Sequence, residues 1–196
     1  MREPSVGDSC SSPTGDLEEW AFGRFRSRRS RADFVASARR ADAATITGVF
    51  VCDVLALQVT QQPANDPIFV AETSDTVTQS RLAADYGTIG LLAHNHLSGS
   101  RFFNLALGQE VDIVYGDGTF RQYLISEIRH LQALDPDNPY SDFSDLDNAG
   151  PQLSSTQVFE QFFGGGDRVV FQTCISANGI RSWGRLFVTA TRVSTY

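Results

Sequence analysis

From residue 46 onward, the sequence consists of short runs of β-branched and aromatic residues separated by turn-forming residues. This pattern predicts an all-β barrel or sandwich, because such side chains pack well on a pleated surface. The hairpin signal Gly116-Asp117-Gly118 lies between two of the runs. We expect strands at 46–59, 67–72, 87–93, 110–115, 119–130, 168–174 and 185–193, and short helices at 74–84 and 153–163. In the second helix Ser154 and Gln157 have the spacing of a capping box.

The N-terminal part of the chain has a different composition. Residues 1–16 are rich in Ser, Pro, Gly and Asp, which is typical of a disordered tail. Residues 17–45 are dense in arginine and predict a helical arm, so the predicted barrel domain is 46–196. The basic stretch 24–40 has two interpretations: a solvated helix, or peripheral contact with an anionic membrane or wall polymer.

Composition limits the function classes. The formal net charge is -7, which argues against nucleic acid as the main partner, since phosphate binding needs a basic surface. No stretch approaches the roughly 20 apolar residues of a membrane span, and no apolar signal core is visible. The three cysteines are odd in number, so we expect at least one free thiol and no disulfide framework. Cys10 lies in the polar tail, and Cys52 is interpreted as a small core residue.

Three residues of complementary chemistry occupy the ends of predicted strands. Cys174 ends one strand, Arg185 begins the next, and His94 ends an earlier apolar run. A cysteine acts as a nucleophile in its thiolate form, which needs a base or a cation nearby, and a fixed cation stabilises the negative charge of an attacked carbonyl. Each residue taken singly is more often structural, but their joint order predicts a catalytic site.

The same residues resemble the sortase family of cysteine transpeptidases. The resemblance spans 46–193 and rests on Leu91-Leu92-Ala93-His94-Asn95, on Phe171-Gln172-Thr173-Cys174 and on Arg185-Leu186-Phe187-Val188. In that family a histidine follows a strand in a Gly-His setting, the cysteine ends a Thr-Leu-x-Thr-Cys motif, and an arginine begins the succeeding strand. Here Ala93 replaces the glycine, and Val170-Phe171 replaces the Thr-Leu pair.

The resemblance implies a closed or nearly closed β-barrel of about eight strands with short helices, plus the N-terminal arm. It implies a transpeptidase that cleaves the C-terminal sorting signal of a substrate protein through a thioester and transfers it to an amine acceptor, a cell-wall precursor or a pilin lysine. His94, Cys174 and Arg185 would be catalytic, and Thr173, Ala93 and Asn95 would contact the substrate. The activity implies the cell surface, and it needs no cofactor. The alternative is an inactive barrel of this type that binds peptides or serves as a surface scaffold.

Rival assignments stay open for several residues. Arg181 is a second candidate cation and His96 a second candidate base, whereas His130 is expected to be an exposed residue. A metal site built on His94 and His96 lacks a carboxylate ligand nearby. The acidic loop 135–147 has the carboxylate density for calcium, although an EF-hand glycine is missing and a solvated loop is the simpler interpretation.

Overall fold

The computed structural model describes residues 30–40 and 42–193, which form a nine-stranded sheet with three α-helices. In chain order the elements are α1 (Arg31–Ala38), β1 (Ile46–Val51), β2 (Leu55–Gln61), β3 (Thr76–Gln79), α2 (Arg81–Asp85), β4 (Ile89–Leu92), a 3-10 helix (Ser98–Asn104), β5 (Glu110–Tyr115), β6 (Phe120–Ala133), β7 (Phe143–Asp145), α3 (Ser155–Phe163), β8 (Arg168–Ala177) and β9 (Ile180–Arg192).

Eight of the strands close into a barrel. The strand order is β5-β1-β2-β3-β4-β8-β9-β6, and a further pairing between β5 and β6 joins the two ends. Pairing is antiparallel except for β2 with β3 and β4 with β8, which run parallel. The short strand β7 adds to the edge of β6. The expected closed barrel of about eight strands is therefore confirmed, with one extra strand.

The barrel interior is a continuous apolar core that receives side chains from all eight barrel strands. The 3-10 helix contributes Phe102, whose ring packs edge-on against Phe171 of β8 at 5.1 Å between centroids. A second apolar cluster lies outside the barrel, where α3 packs over β6, β8 and β9. There the rings of Phe162 and Phe187 stack in parallel at 4.0 Å. Burial on both faces explains why β8 has three consecutive apolar residues, Val169, Val170 and Phe171, all fully buried.

Helix α1 packs on the outside of β1 and β5. Phe34 is buried against Phe50, and Gly48 makes room for it, because a Cβ at Gly48 would lie 2.9 Å from the Phe34 ring. The Arg31 guanidinium is buried and forms an ion pair with Asp112 at 2.9 Å. The expected helix within the arginine-rich segment is thus present at 31–38. The predicted tail 1–16 and residues 17–29 of the predicted arm lie outside the described residues.

Two exposed arginines follow α1 and hydrogen-bond within the protein. Arg39 donates to the Asp117 carbonyl at 3.1 Å, and Arg40 donates to the side chain of Gln58 at 3.3 Å. Contact of residues 24–40 with a membrane or wall polymer stays a prediction. No helix within residues 30–40 and 42–193 is both long and apolar enough to cross a bilayer.

Several strand boundaries differ from the sequence prediction. The single run 46–59 is two strands, because Asp53 has φ 61° and turns the chain into a hairpin. The predicted strand 67–72 is wrong, since this segment is irregular and makes no ladder. The predicted helix 74–84 is divided in the structure: Thr76–Gln79 form β3, which pairs in parallel with β2 and antiparallel with β4, and the helix α2 covers only Arg81–Asp85. Helix α3 begins as expected, with Ser154 and Gln157 forming both bonds of a capping box.

The cysteines are not all as expected. Cys52 lies in the turn between β1 and β2 and packs, half-buried, against the cluster of Phe34 and Phe50, in keeping with its interpretation as a small packed residue. It is also disulfide-bonded, so the expectation that the cysteines form no disulfide was wrong. A turn position near the surface is accessible to a second thiol in a way that a core position is not. Cys174 is free and partly exposed, as predicted for at least one thiol. Cys10 lies outside the described residues.

Candidate active site

The hairpin of β8 and β9 holds the candidate nucleophile and cation as direct neighbours. Cys174 and Arg185 are paired residues in this antiparallel ladder. The preceding pair, Thr173 and Leu186, is buried, and Leu186 belongs to the barrel interior. Because side chains alternate along a strand, Cys174 and Arg185 face the outside of the barrel together.

The end of β4 is fixed to the same strand. Ala93 donates its backbone N–H to the Gln172 carbonyl at 3.2 Å and accepts a hydrogen bond from the Thr173 hydroxyl at 2.8 Å. The parallel ladder pairs Ile89 with Val169 and continues to Leu92 with Gln172. Beyond the ladder Ala93 is still hydrogen-bonded to Gln172 and Thr173, and His94 directly follows Ala93 as Cys174 follows Thr173. The structure therefore brings the three predicted catalytic residues onto neighbouring segments, in the order His94, Cys174, Arg185. His94 lies just beyond the end of β4, whereas Cys174 and Arg185 lie inside the β8–β9 ladder and not at strand ends, because β8 extends to Ala177 and β9 begins at Ile180.

Thr173 and Ala93 occupy interior positions in this arrangement. Thr173 is only 2% exposed, and its hydroxyl is engaged by the Ala93 carbonyl. Gly99 packs directly against this contact: a Cβ at Gly99 would lie 2.3 Å from the Thr173 hydroxyl and 2.8 Å from the carbonyl oxygens of Ala93 and His94. The His94 carbonyl also accepts hydrogen bonds from the backbone of Leu97 and Gly99. This packing fixes the backbone on both sides of the imidazole and the thiol.

Asn95 ties the β4 end to the turn between β8 and β9. Its Nδ2 donates to the Ser176 hydroxyl at 2.8 Å and to the Arg181 carbonyl at 3.1 Å, and the Ser176 hydroxyl donates to the same carbonyl. The turn itself is the predicted Asn178-Gly179 pair, with φ 53° and 79°, a conformation that these two residue types favour. Asn95 therefore fixes the hairpin tip relative to His94.

The candidate cation and base have distinct surroundings. Arg185 donates from Nη1 to the carbonyls of Ser182 and Gly184, at 2.8 and 2.9 Å. No carboxylate in the described part of the chain forms an ion pair with it. His94 is half-buried, and its ring lies 5.4 Å from the ring of the more exposed His96. The rival cation Arg181 lies next to the hairpin tip, four residues before Arg185, and is exposed.

The outer face next to the site is covered by the segment between β6 and β8. Its aromatic side chains could either line an apolar slot for substrate or pack as a core. Phe143, Phe162 and Phe163 are buried in the second cluster, and Phe159 packs against Phe163 and Tyr86. These rings thus form the core under α3, beside the strand that carries Cys174.

The acidic loop uses two of its carboxylates within the protein. Asp145 forms an ion pair with Arg129, and Asp147 pairs with Nδ1 of His130 at 3.1 Å. His130 was expected to be exposed; it is intermediate in exposure and contacts the Asp147 carboxylate. Within the described residues, no group of three or more His, Cys, Asp or Glu side chains is placed to hold a metal ion. Calcium binding by residues 135–147 stays a prediction.

Two residues that sequence reasoning missed are Gly99 and Ser176. Gly99 lies in Ser98-Gly99-Ser100, where a turn is the expected role of a glycine, and Ser176 is one of several serines in the chain. Nothing in the sequence indicates that Gly99 contacts a threonine 74 positions later, or that Ser176 accepts from Asn95. Both contacts are made across the barrel end and depend on the parallel pairing of β4 with β8.

Comparison with solved structures identifies the class of fold. Sortase C1 from Streptococcus suis matches with a TM-score of 0.50 and 14% identity over 84% of this chain and 79% of that one. Sortase C1 from Streptococcus agalactiae matches with 0.47 and 13% over 87% and 80%, and sortase A from Listeria monocytogenes with 0.46 and 13% over 77% and 88%. No protein-family model and no curated protein matches the sequence. The protein has a sortase-like fold.

Proposed function

We propose that the protein is a sortase-type cysteine transpeptidase. The observation that carries this proposal is the pairing of Cys174 with Arg185 across the β8–β9 hairpin, with His94 on the segment that follows β4, the strand next to β8. Cys174 is free and partly exposed, as a nucleophile must be. A sortase-like barrel around these three residues further supports the proposal.

The first step forms an acyl-enzyme. The Cys174 sulfur attacks the carbonyl carbon of a peptide bond in a sorting signal, the carbon–nitrogen bond breaks, and protonated His94 gives its proton to the departing amine. Arg185 stabilises the oxyanion of the tetrahedral intermediate. In the structure the Arg185 guanidinium donates hydrogen bonds to the backbone carbonyls of Ser182 and Gly184. To reach the oxyanion, it would give up one of these hydrogen bonds and donate to the substrate oxygen instead.

The second step transfers the acyl group. A primary amine attacks the thioester carbonyl, His94 accepts the proton that the nitrogen loses, and the thiolate leaves. Water in place of the amine gives hydrolysis. The partners under this proposal are a substrate protein with a C-terminal sorting signal and an amine acceptor.

The test measures thiol reactivity and covalent trapping together. At pH 7, iodoacetamide should alkylate Cys174 faster than a free cysteine peptide, and His94→Ala and Arg185→Gln should each slow that reaction. A mixed peptide library should give a thioester adduct by mass spectrometry, which Cys174→Ala abolishes. The matched control is Arg81→Gln, because Arg81 is an exposed arginine on α2, away from the β8–β9 hairpin.

The opposite outcomes are equally specific. An adduct that persists in Cys174→Ala, or alkylation that ignores both variants, would contradict the assignment. Reversible peptide binding without an adduct would instead support the alternative of a binding or scaffold module.

A further inference from the structure

A pocket of about 350 Å³ opens beside the candidate active site, at the end of the barrel. It is lined by Asn95, His96, Phe103, Ile175, Ser176 and Arg181. Its walls therefore come from the segments that directly follow His94 and Cys174, together with the 3-10 helix and the tip of the β8–β9 hairpin. Neither His94 nor Cys174 lines it, but Asn95 and Ile175 directly follow them in the chain, so the pocket adjoins the reacting groups.

The lining combines apolar and cationic character. Phe103 is 47% exposed, an unusual position for a phenylalanine on a short helix, and Ile175 is only partly packed into the core. Arg181 is exposed, and no carboxylate of the described residues forms an ion pair with its guanidinium. Although the whole chain has a net charge of -7, the Arg181 guanidinium gives this pocket a positive charge that favours an anionic group. An apolar wall next to a cation suits a ligand with a hydrocarbon segment and a carboxylate.

The shape of the pocket is held by hydrogen bonds. Asn95 and Ser176 both donate to the Arg181 carbonyl, so the backbone of the cationic residue is fixed to the strand end that carries the imidazoles. The ring of His96 packs against that of His94. A ligand here would thus lie within a residue or two of both the nucleophile and the base.

We propose that this pocket is the acceptor subsite, and that it takes a primary amine that carries a carboxylate several methylene groups away. This inference rests on the proposed transpeptidase function. The methylene chain would lie on Phe103 and Ile175, the carboxylate would pair with Arg181, and the amine would point towards Cys174. Attack forms the new carbon–nitrogen bond as the carbon–sulfur bond breaks, and the proton lost by the nitrogen passes to His94.

The first test measures binding without any reaction. The probes are 6-aminohexanoate and its uncharged amide, titrated into the full chain carrying Cys174→Ala while the imidazole NMR signals of the three histidines are followed. The acid should shift the His96 signals saturably and leave those of His130 in place, and the amide should bind about tenfold more weakly. Arg181→Gln should remove the difference between the two probes, whereas Arg81→Gln should preserve it.

The second test uses the acyl-enzyme. Arg181→Gln should raise the KM for 6-aminohexanoate about tenfold and leave the KM for the amide unchanged. Equal effects on acid and amide, or no shift of His96, would overturn the subsite. The two proposals fail separately: binding without any thioester rejects the transpeptidase and retains the ligand site, and a thioester without binding rejects only the subsite.

Discussion

At the scale of single residues, the geometry of the site depends on the buried hydroxyl of Thr173. This hydroxyl donates to the Ala93 carbonyl and thereby joins the backbone before His94 to the strand that carries Cys174. The resemblance to the sortase family implied that Thr173, Ala93 and Asn95 contact the substrate. In the structure each makes an internal contact, and whether any of them also touches substrate stays a prediction.

We expect Thr173→Val to destabilise the fold and Thr173→Ser to be much milder. Valine has nearly the same shape but no donor, so the buried carbonyl loses its partner at a cost of about 1–3 kcal/mol. Serine keeps the hydroxyl. Urea unfolding measures the loss, and iodoacetamide kinetics should show slower alkylation of Cys174 in the valine variant. Equal stability of the two variants would mean that the hydrogen bond contributes nothing.

Gly99 is the second residue on which the site depends. We expect Gly99→Ala to cost about 1–3 kcal/mol, because the added methyl would overlap the Thr173 hydroxyl and two backbone carbonyls, and such overpacking displaces neighbours. The control is Gly150→Ala, where nothing lies within 4 Å of the new Cβ and the backbone φ is not positive. Thermal unfolding of both variants decides the point, and similar midpoints would contradict it.

At the scale of elements, α3 determines how the outer face beside the site is covered. It starts at a capping box and ends at Gly164, and its buried face contributes Val158, Phe162 and Phe163 to the second cluster. Phe162 stacks on Phe187, which lies two residues from Arg185 on the same strand face. The stability of this helix is therefore coupled to the position of the candidate cation.

Ser154→Ala should lower the free energy of unfolding by about 0.5–2 kcal/mol, because it removes the acceptor for the Gln157 backbone N–H. Thr156→Ala, on the exposed side of the same first turn, is the matched control and should change stability far less. Guanidinium unfolding with tryptophan fluorescence measures both. Equal losses would show that general helix propensity, and not the cap, accounts for the effect.

At the scale of the whole molecule, three side chains join distant parts of the barrel at the end opposite the site. Tyr123 of β6 donates its hydroxyl to Asp167 at 2.9 Å, and Arg192 of β9 donates to the other oxygen of the same carboxylate at 2.9 Å. Burial alone would raise the pKa of Asp167, but the hydrogen bonds from Arg192 and Tyr123 outweigh it and lower the pKa below its ordinary value of 3.8. Burial of the Tyr123 hydroxyl, together with the adjacent Asp167 carboxylate, raises the pKa of Tyr123.

The lowered pKa of Asp167 predicts a loss of stability in acid. A carboxyl group whose pKa is lower in the folded state stabilises the fold above its unfolded pKa, and this contribution disappears as the pH falls through the folded pKa. Asp167→Asn should therefore be less stable than the parent at pH 7, and the difference should shrink below about pH 4. Urea unfolding from pH 2.5 to pH 7 measures it. A difference that stays constant over this range would contradict the role of the ionised carboxylate.

The buried ion pair between α1 and the barrel gives a second prediction at this scale. Arg31→Met should destabilise the fold, because it removes the buried ion pair between Arg31 and Asp112. The double variant Arg31→Met with Asp112→Leu should recover much of this loss. Calorimetric unfolding of the three proteins forms the comparison, and a double variant no more stable than the single one would reject it.

Sequence reasoning reached the fold class and the order of the three site residues. The alternation of apolar runs with Gly, Asp and Asn turns is a local signal, and it located β5, the hairpin at Gly116–Gly118 and the turn at Asn178-Gly179. The sequence prediction missed β3 and wrongly predicted a strand at 67–72. Both segments are short, and the one that forms a strand is distinguished by having neighbouring strands to pair with, which is not a local property of the sequence. The disulfide at Cys52 was missed for the same reason, since pairing of thiols is not a local property.

By itself, the sequence determined the elements with strong periodicity, the caps and turns, and the residue types available for chemistry. Only the tertiary structure decided that β4 pairs with β8 and that the Ala93 backbone is hydrogen-bonded to Gln172 and Thr173. It also decided that Gly99 packs on this contact and that Asn95 hydrogen-bonds to the β8–β9 hairpin. The physical reason is that turns and helix caps depend on neighbours in the chain. Parallel pairing and close packing depend on residues that are about eighty positions apart and meet only when the barrel closes.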